Sequence, residues 1–151
     1  MSDVLTKKQR SHCMSRIRGK HTKPELIIRK GLFALGFRYQ LHRHQLPGCP
    51  DLVLCKYGAV IFVHGCFWHE HHKCRFFQWP KTNADFWRMK ISRNRANDAK
   101  NLARLKLAGW RTLVVWECAL RHPHQSDSAK VINRVASWLH SRRRSLEISA
   151  A

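Results

Sequence analysis

The chain has 151 residues and a mass of 17.8 kDa, the size of one domain around one core. Its 29 Lys plus Arg against 9 Asp plus Glu give a net charge of +20, an excess that points to a polyanionic partner. The apolar stretches are short and broken by basic residues, which excludes a membrane span, and the opening MSDVLTKKQR lacks the apolar centre of a secretory signal; the cytoplasm is therefore expected, with the six cysteines reduced.

The polar segment up to about Arg18 places Met14 and Ile17 at helical spacing and reads as a short helix or a basic arm able to lie along DNA. Thr22-Lys23-Pro24-Glu25 then has the form of a helix start, with a Thr cap, a proline in the first turn and an acidic third position. The helix is expected to run to Leu35, to bury Leu26, Ile27, Leu32, Phe33 and Leu35, and to close on Gly36. FRYQL, DLVLC and AVIFVH follow as three strands in a meander or hairpin, the last two joined by a turn at Lys56-Tyr57-Gly58. From Asn83 to about Ala108, Trp87, Ile91, Leu102 and Leu105 keep helical spacing, and Gly109 offers a stop. WRTLVVW is a nearly continuous apolar strand of the kind covered on both faces. A last helix near Ser126 to His140 carries Val131, Ile132, Val135, Trp138 and Leu139 on one stripe, and the basic run HSRRRS opens a tail. The order is α-β-β-β-α-β-α.

Two places in this order hold chemistry. Asp51, in PGCPDLVL, starts one strand, and His64 ends the next. In nucleases built on a mixed sheet, a Pro-Asp followed by an acidic-x-Lys triplet assembles a Mg²⁺ site across such a pair, and here Phe62-Val63-His64 stands in the second half. A carboxylate suits Mg²⁺ bridged to a phosphate, although Asp51 can equally cap the turn after Gly48-Cys49-Pro50. The second place is HGCFWHEHHKC, residues 64–74. Cys66, His71 and Cys74, joined by Cys118, have the composition of a tetrahedral zinc site, with His69 and His72 as competing ligands. The alternative is that the cysteines are small core residues. Phe67-Trp68 lies in a polar loop, and aromatic faces among cations can stack on bases.

HGCFWHEHHKC, followed by WPKTN, FWRMKI and GWRTLVVWECAL and preceded by LPGCPDLV, resembles the very short patch repair endonucleases. These are bacterial enzymes that nick DNA beside a T:G mismatch left by deamination of 5-methylcytosine. The likeness runs from about Ser11 to Leu120. It implies an α/β, restriction-endonuclease-like mixed sheet flanked by helices, with a DNA-contacting segment over 1–20, an endonuclease domain over 21–140 and a basic tail over 141–151.

The resemblance also implies roles. Asp51 and the main-chain carbonyl of Val63 would hold Mg²⁺, His69 would be the general base for the attacking water, and His64 would sit at the scissile phosphate. Imidazole titrates in the range such a base needs. Glu25 would hold metal-bound water, whereas its local pattern alone is that of a capping box; the two roles are compatible. Cys66, His71, Cys74 and Cys118 would be structural zinc ligands, leaving His72 outside the set. Phe67, Trp68 and Trp87 would wedge into the base stack, although Trp87 alone reads as helix packing. Met14 would enter from the minor groove, and Lys90 and Asn94 would read the T:G pair. The implied substrate is double-stranded DNA with a T:G mismatch, the implied state a monomer, and contact with mismatch-repair proteins is possible for such an enzyme. The rivals are a restriction-type nuclease of the same fold, a zinc-stabilised DNA-binding module without catalysis, and an RNA-binding protein.

Overall fold

The computed structural model describes residues 21–121 and 125–150; Met14 and the rest of the expected N-terminal segment lie outside the described residues. Helix α1 spans Lys23–Ala34 and starts as its sequence dictates: Thr22 Oγ1 accepts the Glu25 N–H at 3.4 Å, with Pro24 in the first turn. Its buried stripe is Glu25, Ile28 and Leu32, at the spacing that puts side chains on one face. Phe33 and Leu35, expected inside, are 53% and 51% exposed because they fall off that stripe. The Arg38 guanidinium covers the Phe33 ring from 3.8 Å.

Three strands follow: β1 (Gln40–Leu41), β2 (Leu52–Leu54) and β3 (Ala59–His64). The turn before β3 is a single 3₁₀ turn, Cys55–Tyr57, closed by Gly58 at φ 58°. The expected strand FRYQL pairs only at Gln40 and Leu41, because Phe37 turns into the core and Tyr39 Oη donates to the Arg29 carbonyl at 2.9 Å. Helix α2 (Ala84–Leu107), strand β4 (Arg111–Trp116), a 3₁₀ turn (Glu117–Leu120) and helix α3 (Gln125–His140) complete the expected order.

One element was not expected. Ser145–Ile148 form a strand, β5, paired in parallel with Thr112–Val115, so the tail set off at 141–151 is in part a sheet edge. Its alternation is weak, only Ile148 being fully buried, and basic residues precede it. Arg111 fixes the entry to β5. Its guanidinium lies 4.3 Å over the Trp138 ring and donates to the carbonyls of Trp138, Leu139, Ser141 and Arg143, so it closes the end of α3 and holds the turn that follows.

The sheet runs β1-β2-β3-β4-β5, antiparallel across its first three strands and parallel across β3, β4 and β5, with α2 and α3 as the crossovers. Strand alternation divides the core. Leu52, Leu54, Ala59, Ile61, Leu113 and Val115 face α1 and α3. Val53, Val60, Phe62, Val114 and Trp116 face Leu105 of α2, together with Cys66 and Cys118. β4 has a neighbour on each side and helices on both faces, which explains its unbroken apolar run. The domain is thus a mixed α/β sheet flanked by helices. Among the described residues no helix is long and apolar enough to cross a membrane.

Candidate active site and metal centre

The antiparallel register sets Leu52 opposite Ile61, so Asp51 arrives beside the last residues of β3. The Val63 N–H donates to Asp51 Oδ2 at 2.7 Å; this is the contact seen between the two, made by the amide rather than the carbonyl of Val63. Asp51, Val63, His64 and His69 line one cleft of about 300 Å³, closed on its far side by Asp98 of α2. The His64 and His69 rings stack at 3.9 Å with 5° between planes, and His69 Nδ1 lies 2.5 Å from Asp98 Oδ2.

Glu25 comes in from the start of α1, 1% exposed, and joins the cleft through His42. His42 Nε2 is 2.8 Å from Glu25 Oε1 and 3.7 Å from Asp51 Oδ1, and His42 holds a strained left-handed backbone at φ 47° while its N–H donates to the Asp51 carbonyl. Arg29 donates to Glu25 Oε2 at 3.0 Å, and the His21 N–H donates to Oε1 at 3.2 Å. Glu25 therefore caps the helix start and at once backs His42 and Asp51 in the cleft wall. His21, Glu25 and His42 converge closely enough to ligate an ion, but the Arg29 guanidinium already supplies positive charge there, 2.7 Å from His21 Nδ1.

Burial sets the protonation of these groups. It pushes the Asp51 carboxyl from 3.8 up to about 7, helped by the charge of Glu25 and opposed by the Val63 N–H. Burial would also raise Glu25, but the hydrogen bonds from His42 and Arg29 outweigh it and hold that carboxyl below its ordinary value. His64 is pushed by burial, and further by His69, down to about 3, and is neutral at physiological pH. A buried carboxyl set beside a second carboxyl, Glu25, with His42 3.7 Å from its Oδ1, is a donor that a hard divalent ion fits, since the ion would supply the charge that burial withholds.

The loop after β3 carries the aromatic group. Phe67, Trp68 and Trp87 contact one another with ring centroids 5.2 to 5.8 Å apart, and none belongs to the buried core. Lys90 Nζ stands 5.6 Å over the Trp68 ring, and Asn94 Nδ2 donates to the Trp68 carbonyl at 3.1 Å. Asn94 thus has an internal task, fixing the loop to α2.

Behind this loop, ligand atoms of Cys66, His71, Cys74 and Cys118 all lie within 4.8 Å of one another, with Cys118 Sγ 3.5 Å from His71 Nδ1. The five described cysteines are free thiols, and burial pushes those of Cys66 and Cys118 up. Three sulfurs and one imidazole, converging with Cys66 and Cys118 buried, fit a tetrahedral zinc ion, which would reverse that penalty by ionising the thiols. His72 is exposed and outside the group, and His69 is engaged by Asp98, so neither competes. The surroundings support the set: Trp116 stacks on His71 at 4.0 Å and bonds Glu147 of β5 through Nε1, and the Ala150 N–H donates to Cys118 Sγ at 3.4 Å.

Sequence reasoning missed His42 and Asp98. Asp98 had a readable signal, being a carboxylate on the same helical stripe as Ile91, Asn94, Leu102 and Leu105 in a helix otherwise rich in Lys and Arg. His42 had none, because only its backbone conformation and its two carboxylate neighbours distinguish it from a loop histidine.

Residues 2–75, a range that includes Glu25, Asp51, His64 and the zinc-type loop, match the family model described as DNA mismatch endonuclease Vsr. A type II nicking enzyme of Xanthomonas oryzae pv. oryzae, V.XorIIP, is 47% identical over 120 residues, covering 80% of this chain and 88% of the relative. A second type II nicking enzyme, V.NmeAIP of Neisseria meningitidis, is 46% identical over 81% of this chain and 86% of its own. The DNA mismatch endonuclease Vsr of Escherichia coli is 40% identical over 139 residues, 92% of this chain and 88% of that protein. By these likenesses, taken with the convergent cleft, the chain belongs to the Vsr family of DNA mismatch endonucleases.

Proposed function

We propose that this endonuclease nicks duplex DNA on the 5′ side of the thymine in a T:G mispair, in the thymine strand only, leaving a 5′-phosphate and a 3′-hydroxyl. The observation that carries the reading is the meeting of Asp51 and the His69/Asp98 pair in one cleft beside the Phe67/Trp68/Trp87 cluster. The names of the relatives, mismatch endonuclease and nicking enzyme, support the same assignment. The core around this cleft is read as restriction-endonuclease-like.

Mg²⁺ held by Asp51 and the main-chain carbonyl of Val63 would supply Lewis-acid stabilisation of the charge that builds on the attacked phosphate. The remaining work falls to side chains. Asp98 accepts the His69 Nδ1–H, which fixes the ring and leaves Nε2 free to take a proton from water as that water attacks phosphorus and the bond to O3′ breaks, O3′ taking its proton from solvent. His64, neutral and stacked on His69, limits the ring's motion without adding charge. Glu25 acts on Asp51 directly by its charge and also through His42, its oxygens being engaged by His42, Arg29 and His21.

Zinc on Cys66, His71, Cys74 and Cys118 is structural in this reading: it fixes the loop that carries His69 and the wedge. Phe67, Trp68 and Trp87 enter the base stack at a cost of a few kcal/mol, which a wobble pair lowers. Lys90 and Asn94, a helical turn apart, read the mispair, while Met14 and the 1–20 segment reach the minor groove. The enzyme works as a monomer in the bacterial cytoplasm on mismatched duplex DNA, in reach of mismatch-repair proteins, with 21–140 as its catalytic domain.

Strand-labelled duplexes test this. A T:G duplex with Mg²⁺ should be nicked in the T strand alone, and its C:G counterpart left intact. Cleavage of both strands of the paired duplex would instead establish a restriction-type nuclease, and binding without any cut a DNA-binding module.

A further inference from the structure

The cleft poses a problem of hydrogen-bond donors. A phosphodiester must rest in it, yet in a chain of net charge +20 no Lys or Arg side chain among the described residues lines it. Most of its polar groups are already engaged: Asp51 by the Val63 N–H at 2.7 Å, Asp98 by His69 at 2.5 Å, and His42 by Glu25 at 2.8 Å.

Asn101 differs. It lines the same cleft, is half-buried, and follows Asn94 and Asp98 along the sheet-facing side of α2. Among the described residues its amide has no hydrogen-bond partner, whereas Asn94 is held by the Trp68 carbonyl. The loop leading to Asp51 is shaped to admit it. Gly48 has φ +76°, and a Cβ there would stand 3.0 Å from Asn101 Cβ, 3.2 Å from Asn101 Nδ2 and 3.2 Å from Phe62 Cε1. Glycine at 48 thus meets two needs, a left-handed backbone and room for the amide.

We propose that Asn101 is a substrate-contacting residue whose amide N–H donates to a non-bridging oxygen of the scissile phosphate and holds the diester between Asp51 and His69. An amide suits this place because it donates at every pH without carrying charge. A Lys or Arg there would pair with Asp51 or Asp98 and oppose a divalent cation. The inference rests on the nicking function proposed above.

The test is single-turnover nicking of a T:G duplex with Mg²⁺ at saturating protein, using the unmodified protein, Asn101→Ala and Asn101→Asp. Each is given the normal scissile phosphate and its Rp and Sp phosphorothioates. Asn101→Ala should slow nicking about 10- to 100-fold, with duplex affinity within about threefold and an unchanged thermal midpoint. Asn101→Asp should slow it further, because a carboxylate then faces the phosphate. In Asn101→Ala, the rate loss caused by one phosphorothioate diastereomer should shrink, since the contact it perturbs is already gone; a merely structural role would leave both losses as they are. Nicking by Asn101→Ala within about threefold of the unmodified protein, or unchanged losses with both diastereomers, overturns the assignment of Asn101 alone. Failure of the unmodified protein to nick any T:G duplex overturns the proposed function, and this inference with it.

Discussion

The two faces of the sheet come from the same strands and hold different things. Under α1 and α3 the strands present Leu52, Leu54, Ile61, Leu113 and Val115 to a fully apolar layer built on Ile28, Leu32, Val135 and Leu139. Under α2 the same strands end in His64 and Trp116, and α2 buries only Ile91 and Leu105 of its 24 residues. Beyond these and the half-buried Leu102, polar contacts tie α2 down: Asp98 on His69, Asn94 on the Trp68 carbonyl, and Arg95 on Glu70 at 3.5 Å. Stability and chemistry are therefore separable on one face and fused on the other. Side-chain alternation allows this, since each strand can serve a core with one set of residues and a site with the other.

The largest effect should come from the site at the edge of this division. Asp51→Asn should lower T:G nicking about 10³-fold or more while duplex binding persists, measured by parallel cleavage and gel-shift titrations. On the fused face, Cys66→Ser should take bound zinc from about one equivalent to none by metal analysis and lower nicking about 100-fold, because His69 loses its support. Its thermal midpoint should fall by only a few degrees, since the α1/α3 layer does not depend on that loop. Leu113→Ala should do the opposite, costing about 2 to 5 kcal/mol in denaturant unfolding with unchanged nicking per folded molecule. A fall in both would erase the contrast.

A pH titration sharpens it. The folded Asp51 carboxyl, raised to about 7, holds a proton that a cation must displace. Mg²⁺ affinity measured through activity should therefore rise about tenfold per pH unit up to about 7 and then level off. Without the cation the same shift works against the fold. Between about pH 4 and 7 the folded carboxyl keeps a proton that the unfolded chain has released, so stability falls as pH rises through that window. The smallest effect is expected from Glu147→Gln, which weakens the Trp116 contact by about 1 kcal/mol and slightly loosens zinc retention against a chelator.

Much of this was legible in the residues. The start of α1, the three strands, the long basic helix and β4 follow from capping chemistry, turn residues and periodicity, and the Cys/His set followed from ligand type once Cys118 was added at the end of an apolar strand. What escaped shares a physical cause. β5 shows almost no burial pattern, because an edge strand needs only one covered side, and its partner lies some thirty positions away in sequence. Phe33 and Leu35 are apolar residues that a small surface leaves outside, a common outcome that periodicity overlooks. His42, Asp98 and Asn101 gain their meaning only from convergence across elements. Short-range spacing cannot report that.

The contact of Ala150 with Cys118, and of Glu147 with Trp116, has a bearing on how the enzyme is made. β5 is the last described element to emerge from the ribosome, well after the wedge and the histidines. Until it docks, β4 is an open edge and the sulfur of Cys118 lacks the Ala150 N–H. A nascent chain therefore carries Asp51, His64 and His69 before it carries the strand that covers this edge.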